Sequence, residues 1–84
     1  MEEQIGKVFK YFKEPSVAAI EIEKDKLELG DKVRFEGENT DFEQKIQSME
    51  IEGEEVEQVE PGDKVGVKVD SRVRPNDKVI KVDR

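Results

Sequence analysis

The sequence has no cysteine, no histidine and no tryptophan. Without cysteine the chain can form neither a disulfide nor a thiolate nucleophile. Without histidine it lacks the commonest general base and the commonest metal ligand, so its serines have no imidazole to activate them. A Gly-x-x-x-x-Gly-Lys-Ser/Thr phosphate loop is also missing. These absences predict that the chain is not an enzyme and that it holds no metal or other cofactor.

Long apolar runs are missing as well. No stretch approaches the roughly 20 apolar residues that a membrane-spanning helix needs, and the N-terminal segment is acidic rather than a signal peptide. We therefore expect a cytoplasmic protein without membrane contact. With 84 residues, the chain is expected to be one domain, residues 1–84, with room for a core but not for a deep cleft as well. We expect a monomer.

The apolar residues that are present follow the period of β-strands. In Val65-Gly66-Val67-Lys68-Val69 the valines fall at every second position, which places them on one face of a strand. Similar runs occur at 5–12, 17–22, 32–36, 42–51 and 78–82, with turn residues between them. These six short strands predict an all-β sandwich or small barrel. The acidic stretch Glu54 to Glu60 could form one helical turn.

One turn sequence occurs three times: Gly30-Asp31-Lys32-Val33, Gly62-Asp63-Lys64-Val65 and Asn76-Asp77-Lys78-Val79. Glycine and asparagine tolerate a positive φ, aspartate binds nearby backbone, and Lys-Val begins a strand. The repeat predicts three equivalent entries into strands of one barrel, whose closure would remove the sheet edges. The predicted core consists of Ile5, Val8, Ile20, Ile22, Leu29, Val33, Phe35, Ile46, Met49, Ile51, Val65, Val67, Val69, Val79 and Val82.

The order of several short motifs resembles that of domain II of translational GTPases such as elongation factor Tu. The motifs are Ile-Gly-Lys-Val at 5–8, Leu-Glu-Leu-Gly-Asp-Lys-Val at 27–33, Ser-Met-Glu-Ile at 48–51, Val-Glu-Pro-Gly-Asp-Lys-Val-Gly-Val-Lys-Val at 59–69 and Val-Arg-Pro-Asn-Asp-Lys-Val at 73–79. The chain is at least as similar to the C-terminal barrel of collagenase-like peptidases, in which Thr-Asp-Phe-Glu (here 40–43) followed by Ser-Met (48–49) is typical. Chains with this resemblance that occur alone are usually called translation elongation factor-like proteins.

The resemblance implies a small closed six-stranded Greek-key-like barrel and a link to tRNA or ribosomal RNA. It implies neither GTP hydrolysis nor proteolysis, because both families keep their catalytic parts outside this barrel. In elongation factor Tu a glutamate, an arginine and an asparagine of the barrel hold the aminoacylated end of tRNA. An ungapped alignment places them on Glu50, Gly53 and Lys64. Only the glutamate is retained, so the aminoacyl pocket is not carried over.

Charge is unevenly distributed along the chain, although the net charge is −7. Residues 64–84 hold seven basic and three acidic side chains, whereas residues 50–60 hold six acidic and none basic. The first hypothesis is a non-catalytic module that recognises RNA or the translation machinery. Its expected phosphate contacts are Lys7, Lys10, Lys68, Arg72, Arg74 and Lys81.

Two alternatives remain open. The chain could dock a protein partner through an acidic strip, or it could be an accessory barrel for a peptidase-like partner. The strip would consist of Glu50, Glu52, Glu54, Glu55 and Glu57. An ordinary mixed surface of cross-strand lysine–glutamate pairs would also account for the charges. Fold alone does not choose among these functions.

Overall fold

The computed structural model describes residues 2–82, which form strands and turns. The strands are β1 (Glu2–Phe12), β2 (Val17–Ile22), β3 (Leu27–Glu28), β4 (Lys32–Gly37), β5 (Thr40–Lys45), β6 (Met49–Ile51), β7 (Glu54–Val56), β8 (Gln58–Val59), β9 (Lys64–Lys68) and β10 (Lys78–Val82). Eight of them form one sheet in the order β5-β4-β10-β1-β2-β9-β6-β7, and β3 pairs with β8. The predicted all-β class is confirmed. Among these residues there is no helix with the length and apolar character that crossing a bilayer requires.

Neither sheet is closed into a barrel, so the predicted closed six-stranded barrel is not confirmed. Strands β5 and β7 are the two ends of the large sheet and do not pair with each other. The sheet nevertheless curls until Gln44 of β5 reaches the chain at the end of β9. Its side-chain nitrogen donates to the carbonyl of Lys68 at 2.9 Å, and its oxygen accepts from the N–H of Asp70 at 2.7 Å. The buried side-chain amide of Gln44 thus links β5 to the end of β9, two parts of the large sheet whose backbones do not pair with each other.

A single core lies inside this curled sheet. The buried apolar side chains are Ile5, Val8, Ala18, Ile20, Ile22, Leu27, Val33, Phe35, Ile46, Met49, Val59, Val65, Val67, Val69, Val73 and Val79. Phe35 is its largest member, and its ring packs against that of Phe42 at 5.2 Å between centroids. Three predicted core residues are not fully buried. Leu29 is exposed, while Ile51 and Val82 are half-buried.

Two predicted elements differ from the structure. The predicted strand at 42–51 is divided into β5 and β6, because the chain leaves β5 after Lys45. The acidic stretch Glu54 to Glu60 contains β7 and β8 rather than a helical turn. The backbone of β7 pairs with β6, so tertiary pairing outweighs the weak helical spacing of Val56 in β7 and Val59 in β8.

The repeated turn has the same conformation at all three places. An aspartate carboxylate accepts the backbone N–H three residues earlier: Asp31 from Glu28 at 2.9 Å, Asp63 from Glu60 at 2.9 Å and Asp77 from Arg74 at 2.8 Å. The residue before each aspartate has a positive φ, namely 91° at Gly30, 96° at Gly62 and 76° at Asn76. This is the requirement of a type II turn. The prediction of three equivalent turns is confirmed.

Each turn also holds the backbone of one buried residue from elsewhere in the chain. Ile46, Ile22 and Val8 each accept a hydrogen bond from the positive-φ residue of a turn and donate one to the carbonyl of the following aspartate. The distances are 2.9 and 2.8 Å at Ile46, 2.8 and 3.0 Å at Ile22, and 2.7 and 2.9 Å at Val8. The turns therefore tie the large sheet together at three equivalent points.

Candidate docking surface

The outer face of the large sheet carries charges of both signs in rows that cross the strands. One row runs from Glu36 of β4 through Lys78, Lys7 and Glu21 to Lys64 of β9. Opposite charges face each other at three of its four steps, Glu36–Lys78, Lys7–Glu21 and Glu21–Lys64, and such pairs are mildly stabilising. This part of the outer face therefore has the pattern of an ordinary mixed surface with cross-strand lysine–glutamate pairs.

The residues predicted to contact phosphate differ in their surroundings. Five of them are exposed: Lys7, Lys10, Lys68, Arg72 and Arg74. The side chain of Lys81 is only 19% exposed, and its ammonium donates to the Lys26 carbonyl at 3.0 Å. The same ammonium lies 3.5 Å from Asp31 and 3.8 Å from Asp25. Lys81 is thus engaged within the domain, and RNA binding by the six residues stays a prediction.

The five glutamates of the predicted strip lie on or directly after one hairpin, β6-turn-β7, at an end of the large sheet. All five are exposed, and none forms an ion pair among residues 2–82. Glu50 and Glu55 face each other in the β6–β7 register, an arrangement that is destabilising for like charges. The hairpin turn has positive φ at Glu52 (52°) and Gly53 (82°), as a tight type I′ turn requires. We refer to residues 49–57 as the acidic hairpin.

An apolar groove lies on the outer face beside the acidic hairpin. Its floor is formed by Ala19 of β2 and Gly66 of β9, which are register partners. Phe9 and Phe12 form one wall, and each is 42% exposed. The remaining lining residues are Glu50, Glu52, Gly53, Lys64 and Val65. We call this feature the Ala19–Gly66 groove; its volume is about 390 Å³.

The exposure of Phe9 follows from a β-bulge in β1. The register with β2 shifts between Val8 and Lys10, so Val8 points into the core while both Phe9 and Lys10 are exposed. Bulges commonly redirect a side chain in this way. The sequence alone did not assign Phe9 to a binding surface. The sequence does carry a signal for the bulge. In Val8-Phe9-Lys10-Tyr11-Phe12, apolar residues no longer fall at every second position.

Gly66 keeps the floor of the groove open without being required by the backbone. Its φ is not in the positive region, and a β-carbon there would meet only a Val17 methyl at 3.3 Å and the Glu50 carbonyl at 3.8 Å. Two lysines cover the aromatic wall: the ammonium of Lys10 lies 5.1 Å from the Phe12 ring centroid, and that of Lys64 lies 5.8 Å from the Phe9 ring centroid. Both are within cation–π distance.

The groove coincides with the positions that the elongation-factor resemblance aligned with tRNA-binding residues. Glu50, Gly53 and Lys64 all line it. Within residues 2–82 no group of three or more acidic side chains is placed to hold a metal ion. The lining of the groove offers apolar contact, flanked by the carboxylates of Glu50 and Glu52 on one side and by the ammonium groups of Lys10 and Lys64 on the other.

The sequence of this chain is similar to parts of known proteases. No family model matches the chain. It is 35% identical over 81 residues to a collagenase of Porphyromonas gingivalis and 39% identical over 77 residues to an uncharacterised protease of Methanocaldococcus jannaschii. These alignments cover 95% and 90% of this chain but 22% and 19% of those proteins, so the chain spans about a fifth of their length.

A solved structure extends the comparison to three dimensions. The C-terminal domain of a candidate U32 peptidase from Geobacillus thermoleovorans superposes with a TM-score of 0.89 at 27% identity. The match covers 96% of this chain and 93% of that one. The chain has the fold of a U32 peptidase C-terminal domain. The relatives support the resemblance to collagenase-like peptidases, and they lend no support to a relation with elongation factors.

Proposed function

We propose that this chain is a non-catalytic accessory domain that acts together with a peptidase-like catalytic partner. The observation that carries the proposal is the match of almost the whole chain to the C-terminal domain of a U32 peptidase. The chain supplies neither cysteine nor histidine, and the curated relatives are about five times its length. Catalysis in such an assembly belongs to the remaining part, and this domain contributes a binding surface.

A reconstitution experiment tests the proposal. The remainder of the Geobacillus thermoleovorans peptidase, expressed without its C-terminal domain, is titrated with this chain in a calorimeter. We expect a one-to-one complex, because the two domains share their fold over nearly their full length. The intact peptidase serves as the matched control, since its own C-terminal domain already occupies the site and should prevent binding. Equal binding to both forms, or no binding to the truncated form, would contradict the accessory role.

RNA recognition is a second candidate function. It is favoured by the exposure of five of the six predicted phosphate contacts, and by two exposed rings on the same outer face as Lys10. Binding of tRNA would weaken steeply between about 50 and 200 mM salt, because each phosphate contact releases counterions. An NMR titration at low salt measures it. Shifts at Arg72 and Arg74 that disappear in the double variant Arg72→Glu/Arg74→Glu would support this function over a purely protein-binding one.

A further inference from the structure

We infer that the Ala19–Gly66 groove docks a segment of the catalytic partner that carries an apolar side chain next to a lysine or arginine. The inference rests on the proposed function and adds to it the contact surface and the chemistry of the partner. The apolar part of the inference comes from the lining. Phe9 and Phe12 expose two aromatic side chains over a floor that has no side chain beyond a methyl group. An inserted side chain would contact both rings and remove them from water.

The strand register gives the length of the groove and the charges at its two ends. Lys10, Ala19, Gly66, Glu50 and Glu55 are successive register partners across β1, β2, β9, β6 and β7. Since neighbouring strands lie about 4.8 Å apart, Lys10 and Glu50 are separated by about 14 Å along this row. Four or five extended residues have that length. If an apolar side chain of the bound segment lies over Ala19 and Gly66, the flanking residues of that segment lie near Lys10 at one end of the row and near Glu50 at the other.

The charges around the Ala19–Gly66 groove favour binding of a basic segment over binding of an acidic one. The two lysines beside the groove already rest on aromatic faces. The glutamates of the acidic hairpin have no cationic partner among the described residues, and Glu50 and Glu55 repel each other. A lysine or arginine at that end would relieve this repulsion. A nucleic acid placed along the same row would bring phosphate against the two carboxylates, and a second copy of this chain would bring two acidic hairpins together.

Peptide titration tests the groove itself. The ¹⁵N-labelled chain is titrated with acetyl-Lys-Phe-Lys-Leu-Lys-amide and, separately, with acetyl-Glu-Phe-Glu-Leu-Glu-amide. We expect the basic peptide to shift the amides of Ala19, Gly66 and Glu50, and the acidic peptide to leave them unchanged. Equal shifts with both peptides, or none with either, would overturn the inference. Shifts of the same amides by an RNA oligonucleotide but not by the basic peptide would assign the groove to nucleic acid instead.

Three variants make the test specific. Gly66→Thr fills the floor with a residue suited to strands, and Glu50→Lys/Glu55→Lys reverses the acidic end without removing any hydrogen bond between described side chains. Each should weaken binding of the basic peptide at least tenfold. Glu38→Lys in the β4–β5 turn, which reverses one charge away from the groove, is the control and should bind like the native chain. A Gly66→Thr protein that fails to fold leaves the double reversal as the deciding variant.

The same variants separate this inference from the proposed function. If the truncated peptidase binds the native chain and the Glu50→Lys/Glu55→Lys variant equally well, the groove assignment is wrong while the accessory role stands. If the basic peptide binds the groove but the truncated peptidase does not bind the chain, the accessory role is wrong, and so is the assignment of the groove's occupant to the catalytic partner. Loss of both interactions in the double reversal supports the complete assignment.

Discussion

The side-chain oxygen of Gln44 accepts a hydrogen bond of 2.7 Å from the backbone N–H of Asp70. Replacing Gln44 with methionine keeps the length of the side chain but leaves this N–H and the Lys68 carbonyl without their partner. We expect the free energy of unfolding to fall by about 2–4 kcal/mol. Urea denaturation measures it, with Gln47→Met, at an exposed position, as the control. A loss no larger than that of the control would show that the bridge does not hold the sheet together.

Two glycines with different surroundings provide a second prediction. A β-carbon at Gly6 would collide with the backbone of Glu21, whereas one at Gly66 would press only on a Val17 methyl group at 3.3 Å, and that side chain can shift slightly. Gly6→Ala should therefore lower the free energy of unfolding by about 3 kcal/mol or prevent folding, because the neighbouring strand cannot move away. Gly66→Ala should change it by less than about 1 kcal/mol. Thermal unfolding followed by circular dichroism compares the two, and similar stabilities would contradict the close approach at Gly6.

The repeated turn predicts opposite responses at two equivalent positions. Gly62 and Asn76 have φ values of 96° and 76°. Gly62→Ala should destabilise the protein by about 1–2 kcal/mol, since a β-carbon is strained in this region. Asn76→Gly should be tolerated within about 0.5 kcal/mol because glycine adopts positive φ freely. Chemical denaturation checks both, and a tolerated alanine at Gly62 would mean that the turn can change its type.

Arg34 gives a prediction for pH. Its side chain contacts Asp41, Glu36 and Glu2 at 3.2 to 3.3 Å. The pKa of Arg34 is raised above its ordinary value, chiefly by the charge of Asp41 and its hydrogen bond. A raised pKa on a base favours folding below the unfolded pKa, and that contribution is lost only when the pH rises through the folded pKa. The difference in melting temperature between Arg34→Gln and the native chain should therefore stay constant between about pH 6 and 9. A systematic drift over that range would place a different titrating group in this network.

The acidic hairpin predicts a substitution that stabilises the protein. Glu55→Lys places opposite charges across from each other at the Glu50–Glu55 pair, and should raise the free energy of unfolding by up to about 1 kcal/mol at low salt. The gain should shrink as salt screens it. Urea denaturation at two salt concentrations measures the effect. Glu38→Lys is the control for the change in net charge alone, and an equal gain there would exclude a specific pair effect.

The strand class and most of the core could be predicted because alternation and turn residues act over short distances. Leu29 was predicted to be buried but is exposed, and a longer version of the repeated turn sequence explains why. Extended by three residues, the repeat spans 27–33, 59–65 and 73–79, and the first and last side chains of all three copies are buried. Leu29 occupies the turn position held by Pro61 and Pro75, which explains its exposure, while Leu27 occupies the buried first position.

The open sheet and the groove lay beyond the sequence for a different reason. Both depend on register, which is set by contacts between residues far apart in the chain. The bulge that exposes Phe9 is defined by the pairing of β1 with β2, and the bridge from Gln44 depends on the curl of the entire sheet. The acidic strip was predictable because its five glutamates are close in sequence. The apolar groove beside it joins residues from four separate strands and a hairpin turn.

The pairing of β1 with β10 has a consequence for how the chain acquires its structure during synthesis. Glu2 of β1 lies opposite Val82 of β10. Because β1 is synthesised before β10, the backbone groups on this edge of β1 stay unpaired until β10 has been made. Until then that edge, with its unpaired backbone groups, can associate with other nascent chains. Folding should accordingly be slow for so small a domain, since its contacts join distant parts of the chain. A released chain that ends before residue 78 should be degraded by proteases more readily than the chain of 84 residues, because β1 then lacks its partner β10.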